Sequence, residues 1–347
     1  MPPTTYTVAG RALLGEDLEE ENVSITIEDG IIACIEPYPG EAKRWIIPAL
    51  FNAHTHIGDT VAMDMPARGN LADLVKPPDG LKHRILAETP QEELIRGMRA
   101  SITTMLATGT GGFADFREGG VNGVAALREA VADLPCHPVI FGRDGGELIS
   151  DGIGISSVHD VANAEALVRE ARTRGKRVAF HAGERNANDV DDALAFEPDL
   201  LIHCTHATDA QLRRCADMAI PIVVCPRSNW VLGVTKSPAH PPVRRILENG
   251  GKFFLGTDNV MFVQPDLLQE MSFTATVYGI GPKEILRAAL FGAVLAGRNP
   301  LLEEGNDARF LVINPTISNL SFSRDLLATC VKRLDASAIE QNVLTLQ

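Results

Sequence analysis

The feature that most constrains this chain is a repeated alternation of short apolar runs with helix-patterned segments between residues 47 and 300. Apolar runs fall at 47–53, 111–116, 138–141, 152–155, 177–180, 200–202, 220–224 and 252–255. Helical periodicity occupies 90–106, 121–132, 162–174, 209–219, 242–248, 266–277 and 282–296. Short apolar runs suit strands buried on both faces, and a parallel strand needs a crossover helix to reach its neighbour. Eight such units over about 250 residues predict an α/β chain folded as a (β/α)8 TIM barrel. The competing doubly wound sheet is disfavoured, because no Gly-x-Gly-x-x-Gly turn follows the first run.

Both ends of the chain have a different texture. Residues 23–27 alternate in polarity, Glu28-Asp29-Gly30 is a turn signal, and 31–35 continues as a hairpin partner. Strand character returns at 308–315 and 328–331. A few strands of this length cannot bury a core alone. We therefore expect one small β-sandwich domain from both termini, 1–46 plus 305–347, beside a barrel at 47–304. Residues 65–82, rich in Gly, Pro and Asp, read as a long loop after the first barrel strand. Such loops form the active-site face of a barrel.

Ionisable residues collect at the C-terminal ends of the predicted strands. The first strand ends in His54-Thr55-His56, and residues i and i+2 of a strand share a face. The fifth ends in His181-Ala182-Gly183-Glu184, the sixth in His203-Cys204-Thr205-His206, and the eighth in Thr257-Asp258-Asn259. Five of the nine histidines lie at these positions. Parallel strands bring them to one mouth, and imidazole suits zinc, iron, copper or nickel. Any one of them alone reads equally well as a hydrogen-bonded structural residue or a helix cap.

The order His-x-His, His-Ala-Gly-Glu, His, Asp resembles the amidohydrolase superfamily in its mononuclear aminohydrolase branch. That branch holds adenosine, cytosine and guanine deaminases, S-adenosylhomocysteine deaminases and triazine chlorohydrolases. Cys225-Pro226-Arg227-Ser228-Asn229 is similar to the Pro-x-Ser-Asn that follows its seventh strand. The resemblance implies that His54, His56, His181 and Asp258 hold one divalent ion, zinc or iron. It implies further that Asp258 accepts a proton from the attacking water, that Glu184 shuttles protons to the substrate, and that His203 orients the water. The implied activity is metal-dependent hydrolytic deamination of a purine- or pyrimidine-like N-heterocycle, with release of ammonia. Hydrolysis of another non-peptide C–N bond, or of a C–Cl bond, in the same site is the alternative. A non-catalytic metal- or nucleoside-binding relative would have no use for Glu184 and His203.

Binuclear branches of the superfamily carry a bridging lysine at the end of the fourth strand. Here Ser156-Ser157-Val158-His159 follows that strand, and the lysines fall elsewhere. One metal is therefore expected, with His159 read as a helix-start residue and His206 as structural. Arg117, Arg143, Arg185 and Arg227 each follow a strand, and an arginine fork suits carboxylate or phosphate. Each also has acidic neighbours with which it would pair. His83 closes the long first loop as a candidate substrate contact, and Trp230 offers a stacking face or a core residue.

A net charge of −13 argues against nucleic acid or an anionic membrane as partner, leaving a small molecule, with self-association left open. The six cysteines form no Cys-x-x-Cys pair, which fits a reducing compartment. Met1-Pro2-Pro3-Thr4 has no basic stretch followed by an apolar core, so a cytoplasmic protein is expected.

Overall fold

The computed structural model describes residues 5–65, 71–76 and 79–344. The chain opens with β1 (Thr5–Leu14), β2 (Glu19–Glu28), β3 (Ile31–Pro37) and β4 (Trp45–Pro48). The barrel strands are β5 (Leu50–His56), β6 (Thr110–Arg117), β7 (His137–Gly142), β8 (Gly152–Ile155), β9 (Arg177–Ala182), β10 (Leu200–His203), β11 (Ile222–Val224), β12 (Phe253–Leu255) and β13 (Asp258–Asn259). The chain closes with β14 (Arg309–Ile313) and β15 (Ile339–Leu344).

Strands β5 to β12 pair in sequence order, all parallel. Two residues beyond β12, β13 pairs in parallel with β5. The eighth strand is thus in two pieces, the first bonded to the seventh and the second to the first, and the ring is closed. Residues of β5, β6, β8 and β10 are buried throughout, as expected for strands with helices outside and packed side chains inside.

The terminal strands form one sheet in the order β15-β14-β4-β1-β2-β3. Its first hairpin follows from Asp29-Gly30, which bridge the Glu28–Ile31 pair with φ of +50° and +82°. A type I′ turn requires positive φ at both central residues. The sheet curls until Ile31 bridges Asp307, just ahead of β14. Ile25, Ile27, Ile32, Ile46, Phe310 and Val312 then share one buried core. The sandwich is a single continuous sheet folded over itself.

Three local expectations need correction. The run read as one strand at 47–53 divides at Ala49: Ala49 N donates to Arg309 O in the small sheet, and Leu50 N donates to Gly109 O in the barrel. The strand expected at 328–331 is a helix, Leu326–Arg333, capped by the Asp325 carboxylate on Ala328 N. Its buried Leu326, Thr329 and Cys330 fall at helical, not strand, spacing. The sheet is completed instead by β15. The loop expected at 65–82 contains a helix at Leu71–Val75 and the start of another, Leu81–Glu88, while residues 66–70 and 77–78 lie outside the described residues. Among the described residues, no helix is long and apolar enough to cross a membrane.

Candidate metal centre

Strand alternation brings His54 and His56 to one side of β5, with ring centroids 4.9 Å apart. His181 on β9 lies 4.9 Å from His54, and His203, the last residue of β10, lies 5.5 Å from His181. Asp258 opens β13, with Oδ1 at 3.3 Å from His54 Nε2 and 3.6 Å from His56 Nε2. One donor atom each from His54, His56 and His181 lie within 4.8 Å of one another, as do donors of His54, His203 and Asp258. The two sets share His54 and describe one centre.

His54 is fully buried, and neither of its ring nitrogens has a hydrogen-bond partner. A buried polar group left unpaired costs about 1–3 kcal/mol, which a bound cation would offset. His56 Nδ1 donates to Phe116 O at 3.0 Å and His181 Nδ1 to Ile155 O at 3.1 Å. Those bonds fix the tautomer that leaves Nε2 free as a ligand. Burial pushes His54 down to about 4 and His56 down to about 3, and holds His181 well below the usual histidine range. Burial works against ionisation of Asp258, but the close approach of His54 and the other surrounding imidazoles outweighs that, and it stays well below the usual carboxylate range. Three neutral imidazoles and an ionised carboxylate fit one divalent cation.

The motif glycines are required by close approach. A Cβ on Gly256 would stand 2.7 Å from His54 Cβ and 2.9 Å from His54 N. Gly183 has φ +68°, and a Cβ there would stand 3.0 Å from Cys204 Cα. Positive φ also falls at the strand ends themselves, +75° at His203, +45° at Cys204 and +62° at Asp258. Left-handed backbone at such residues costs on the order of 1–2 kcal/mol each and concentrates at functional sites.

Above the cluster the barrel mouth holds a cavity of about 510 Å³, counted out to its opening. Glu184 faces it, with Oε1 3.7 Å from His203 Nε2, and burial raises its carboxyl. His83 and Arg143 line the same space, and His83 Nε2 is bonded to Val75 O. Arg185 lines it as well, whereas Arg117, Arg227 and Trp230 do not. Arg117 is buried against Asp115 and Glu118 at 3.3 and 2.5 Å. Arg227 is held by Glu270 at 2.6 Å and by Gln269, Gln264 and Asp266. Trp230 donates to Tyr278 Oη and packs edge-on to Phe273. His206 lies tilted against His240, and His159 lies in a turn ahead of the helix Ala164–Thr173, opposite Asp192.

Sequence reasoning missed four residues here. Ser228 Oγ donates to Asp258 Oδ2 at 2.7 Å. Glu118 Oε1 lies 2.8 Å from His56 Nδ1 and 2.7 Å from Lys82 Nζ. A lysine therefore does reach the centre, from the helix Leu81–Glu88 and not from the fourth strand. Asp59 is fully buried, accepting from Asn259 Nδ2 and Met261 N, with Lys82 Nζ at 3.9 Å. Ser228 was legible in its Pro-x-Ser-Asn motif; Glu118, next to Arg117 at a strand end, was weighed only as that arginine's partner.

The amidohydrolase family model matches residues 45–147, and the adenosine deaminase model matches residues 147–296. A protein described as a "putative aminohydrolase" in Methanothermobacter thermautotrophicus is 34% identical over 374 residues, spanning 93% of this chain and 96% of its own. The chain belongs to the amidohydrolase superfamily, among its aminohydrolases. This aminohydrolase is also 31% identical to an adenine deaminase of Sinorhizobium fredii, over 62% of this chain and 65% of that one. In fold it is similar to a zinc-bound adenosine deaminase of Xanthomonas campestris (TM-score 0.82, 16% identity, 97% of this chain and 90% of that one). The zinc-complexed atrazine chlorohydrolase of Arthrobacter aurescens matches at TM-score 0.79 and 16% identity, over 94% and 90% of the two chains. The aminohydrolase is a hydrolase of carbon–nitrogen bonds other than peptide bonds.

Proposed function

We propose that this aminohydrolase removes an exocyclic amino group from a purine- or pyrimidine-like N-heterocycle by hydrolysis, releasing ammonia. The observation that carries the reading is the Glu184–His203 pair, 3.7 Å apart, facing the cavity that His56, His181 and Asp258 also line. His54, His56, His181 and Asp258 would hold a single zinc ion, since three nitrogens, one carboxylate oxygen and an open position suit that metal. Bound there, the ion would act as a Lewis acid that lowers the pKa of water toward ~7.

The remaining roles belong to side chains. Asp258 keeps one oxygen on Ser228 and uses the other to take a proton from the attacking water. His203 Nε2 faces the cavity beside Glu184 and steadies charge developing on that water. Burial holds a proton on Glu184 to higher pH than usual, so that it can protonate a ring nitrogen and make the adjacent carbon electrophilic. Left ionised, it takes the second proton of the attacking water and passes it to the departing amine, which leaves as ammonia as the C–N bond breaks. General acid–base catalysis of this kind contributes roughly 10²–10⁴-fold. Glu184→Gln is therefore expected to keep its full metal content by elemental analysis and to lose kcat by about that factor. A variant that keeps full turnover would remove Glu184 from the proton path.

A further inference from the structure

Among the cations that line the cavity, Arg143 and Arg185 form no ion pair among the described residues, and Arg185 is exposed to solvent. Lys76 Nζ pairs with Asp160 Oδ1 at 2.7 Å, and Lys82 Nζ with Glu118 Oε1 at 2.7 Å. Arg143, which follows β7, lines the same cavity as Glu184 and His203. Its Nε and Nη2 are buried and have no hydrogen-bond partner among the described residues. The acidic neighbours that sequence would assign to it, Asp144 and Glu147, do not bond to these two nitrogens. Glu147 instead accepts from Gly145 N at 2.8 Å. Two N–H groups of a guanidinium, desolvated and unpaired, are an expensive arrangement for a side chain with no other purpose. They present one edge of a planar fork, the geometry that takes two oxygens of a carboxylate or phosphate side by side.

The location says which part of a ligand the fork would meet. Arg143 lines the cavity together with His83 and His181. The metal donors and Glu184 engage the reacting ring in the reading above, and the arginine is separate from them. We propose that the physiological substrate is an N-heterocycle bearing an anionic substituent, a carboxylate or a phosphate, which Arg143 binds through its guanidinium. This rests on the deaminase reading for the ring, but the anion site itself is independent of it. The structure also separates Arg143 from Arg117 and Arg227, whose forks are filled by carboxylates and carbonyls of the protein.

The test has two arms. In the first, ammonia release by the zinc-loaded protein is compared within matched sets: adenosine, adenosine 5′-carboxylate and adenosine 5′-monophosphate, then pterin and pterin-6-carboxylate. A charge-assisted hydrogen bond predicts that an anionic member exceeds its neutral mate by about 10- to 100-fold in kcat/KM. In Arg143→Met that preference disappears, mainly through KM, while turnover of the neutral member is kept; Arg143→Lys restores part of it. Equal use of neutral and anionic members, or a preference that survives in Arg143→Met, overturns the proposal. In the second arm, the ¹⁵Nε–H resonance of Arg143, assigned by its loss in Arg143→Met, is followed while sodium phosphate or sodium acetate is added. A saturable shift is expected with at least one, and the stronger of the two names the anion. No saturable shift with either overturns the site. Silence in the first arm with a shift in the second would sink the deaminase reading and leave the anion site standing; ammonia without preference or shift would do the reverse.

Discussion

Asp59 and Ser228 show how much of the centre rests on residues that touch no metal donor set of their own. Ser228 is fully buried and holds one oxygen of Asp258 at 2.7 Å. Removing such an orienting group typically lowers metal affinity by about 10- to 100-fold. Ser228→Ala is expected to bind zinc that much more weakly in a competition titration, with an unchanged circular dichroism spectrum; unaltered affinity would mean that Asp258 is oriented by other contacts. Asp59 is pushed up to about 7, chiefly by burial, which outweighs Lys82 and the hydrogen bond from Asn259. A carboxyl whose folded value lies above its unfolded value of 3.8 binds more protons in the folded state between those limits. Its contribution is therefore fully present below pH about 4 and is lost as pH rises through about 7. Relative to Asp59→Asn, the metal-free wild type should lose on the order of 4 kcal/mol across that window, read from urea unfolding at each pH. Parallel pH curves for the two proteins would contradict this. The histidines and Asp258 were legible because strand ends mark themselves by an apolar run followed by polar residues. Lys82 was not, because its approach depends on the helix Leu81–Glu88 turning a side chain of a surface-like segment inward, where it is 2% exposed.

At the scale of elements, each motif is as much a packing requirement as a chemical one. Gly256 lets the eighth strand pass His54, and its N–H donates to Val224 O while Thr257 N donates to His54 O. Gly256→Ala would place a methyl group 2.7 Å from His54 Cβ. Overpacking of this kind costs roughly 1–3 kcal/mol. The variant should melt at lower temperature and retain less zinc after dialysis; wild-type stability and metal content would show that β12 and β5 can move apart. The strand–helix alternation was readable because each period is short and closed by Gly, Pro or Asp. The helix Leu326–Arg333 was not, since Leu326-Leu327-Ala328-Thr329-Cys330-Val331 is too short for apolar content to separate helix from strand. Its real signals were Asp325 as N-cap and Lys332-Arg333 in the last turn. The division at Ala49 was likewise hidden, because β4 and β5 are both buried throughout and so read as one apolar run.

For the molecule as a whole, closure of the ring decides what the residues can do. β13 pairs with β5 across about 200 positions of sequence, and this brings Asp258 to His54 and His56. The cavity at the barrel mouth was beyond sequence reading for the same reason. Its walls come from Lys82 and His83, Arg143, Ser156 and Glu184, each on a different strand-end segment, and only the folded ring orders them around one space. The most direct test of the central claim is metal content and ammonia release measured together on purified protein, over nucleosides, free bases and pterins with and without anionic substituents. The account predicts one divalent ion per chain and ammonia from at least one heterocycle, abolished by chelation and restored by zinc. Two ions per chain, or one ion with no ammonia from any heterocycle, would contradict it.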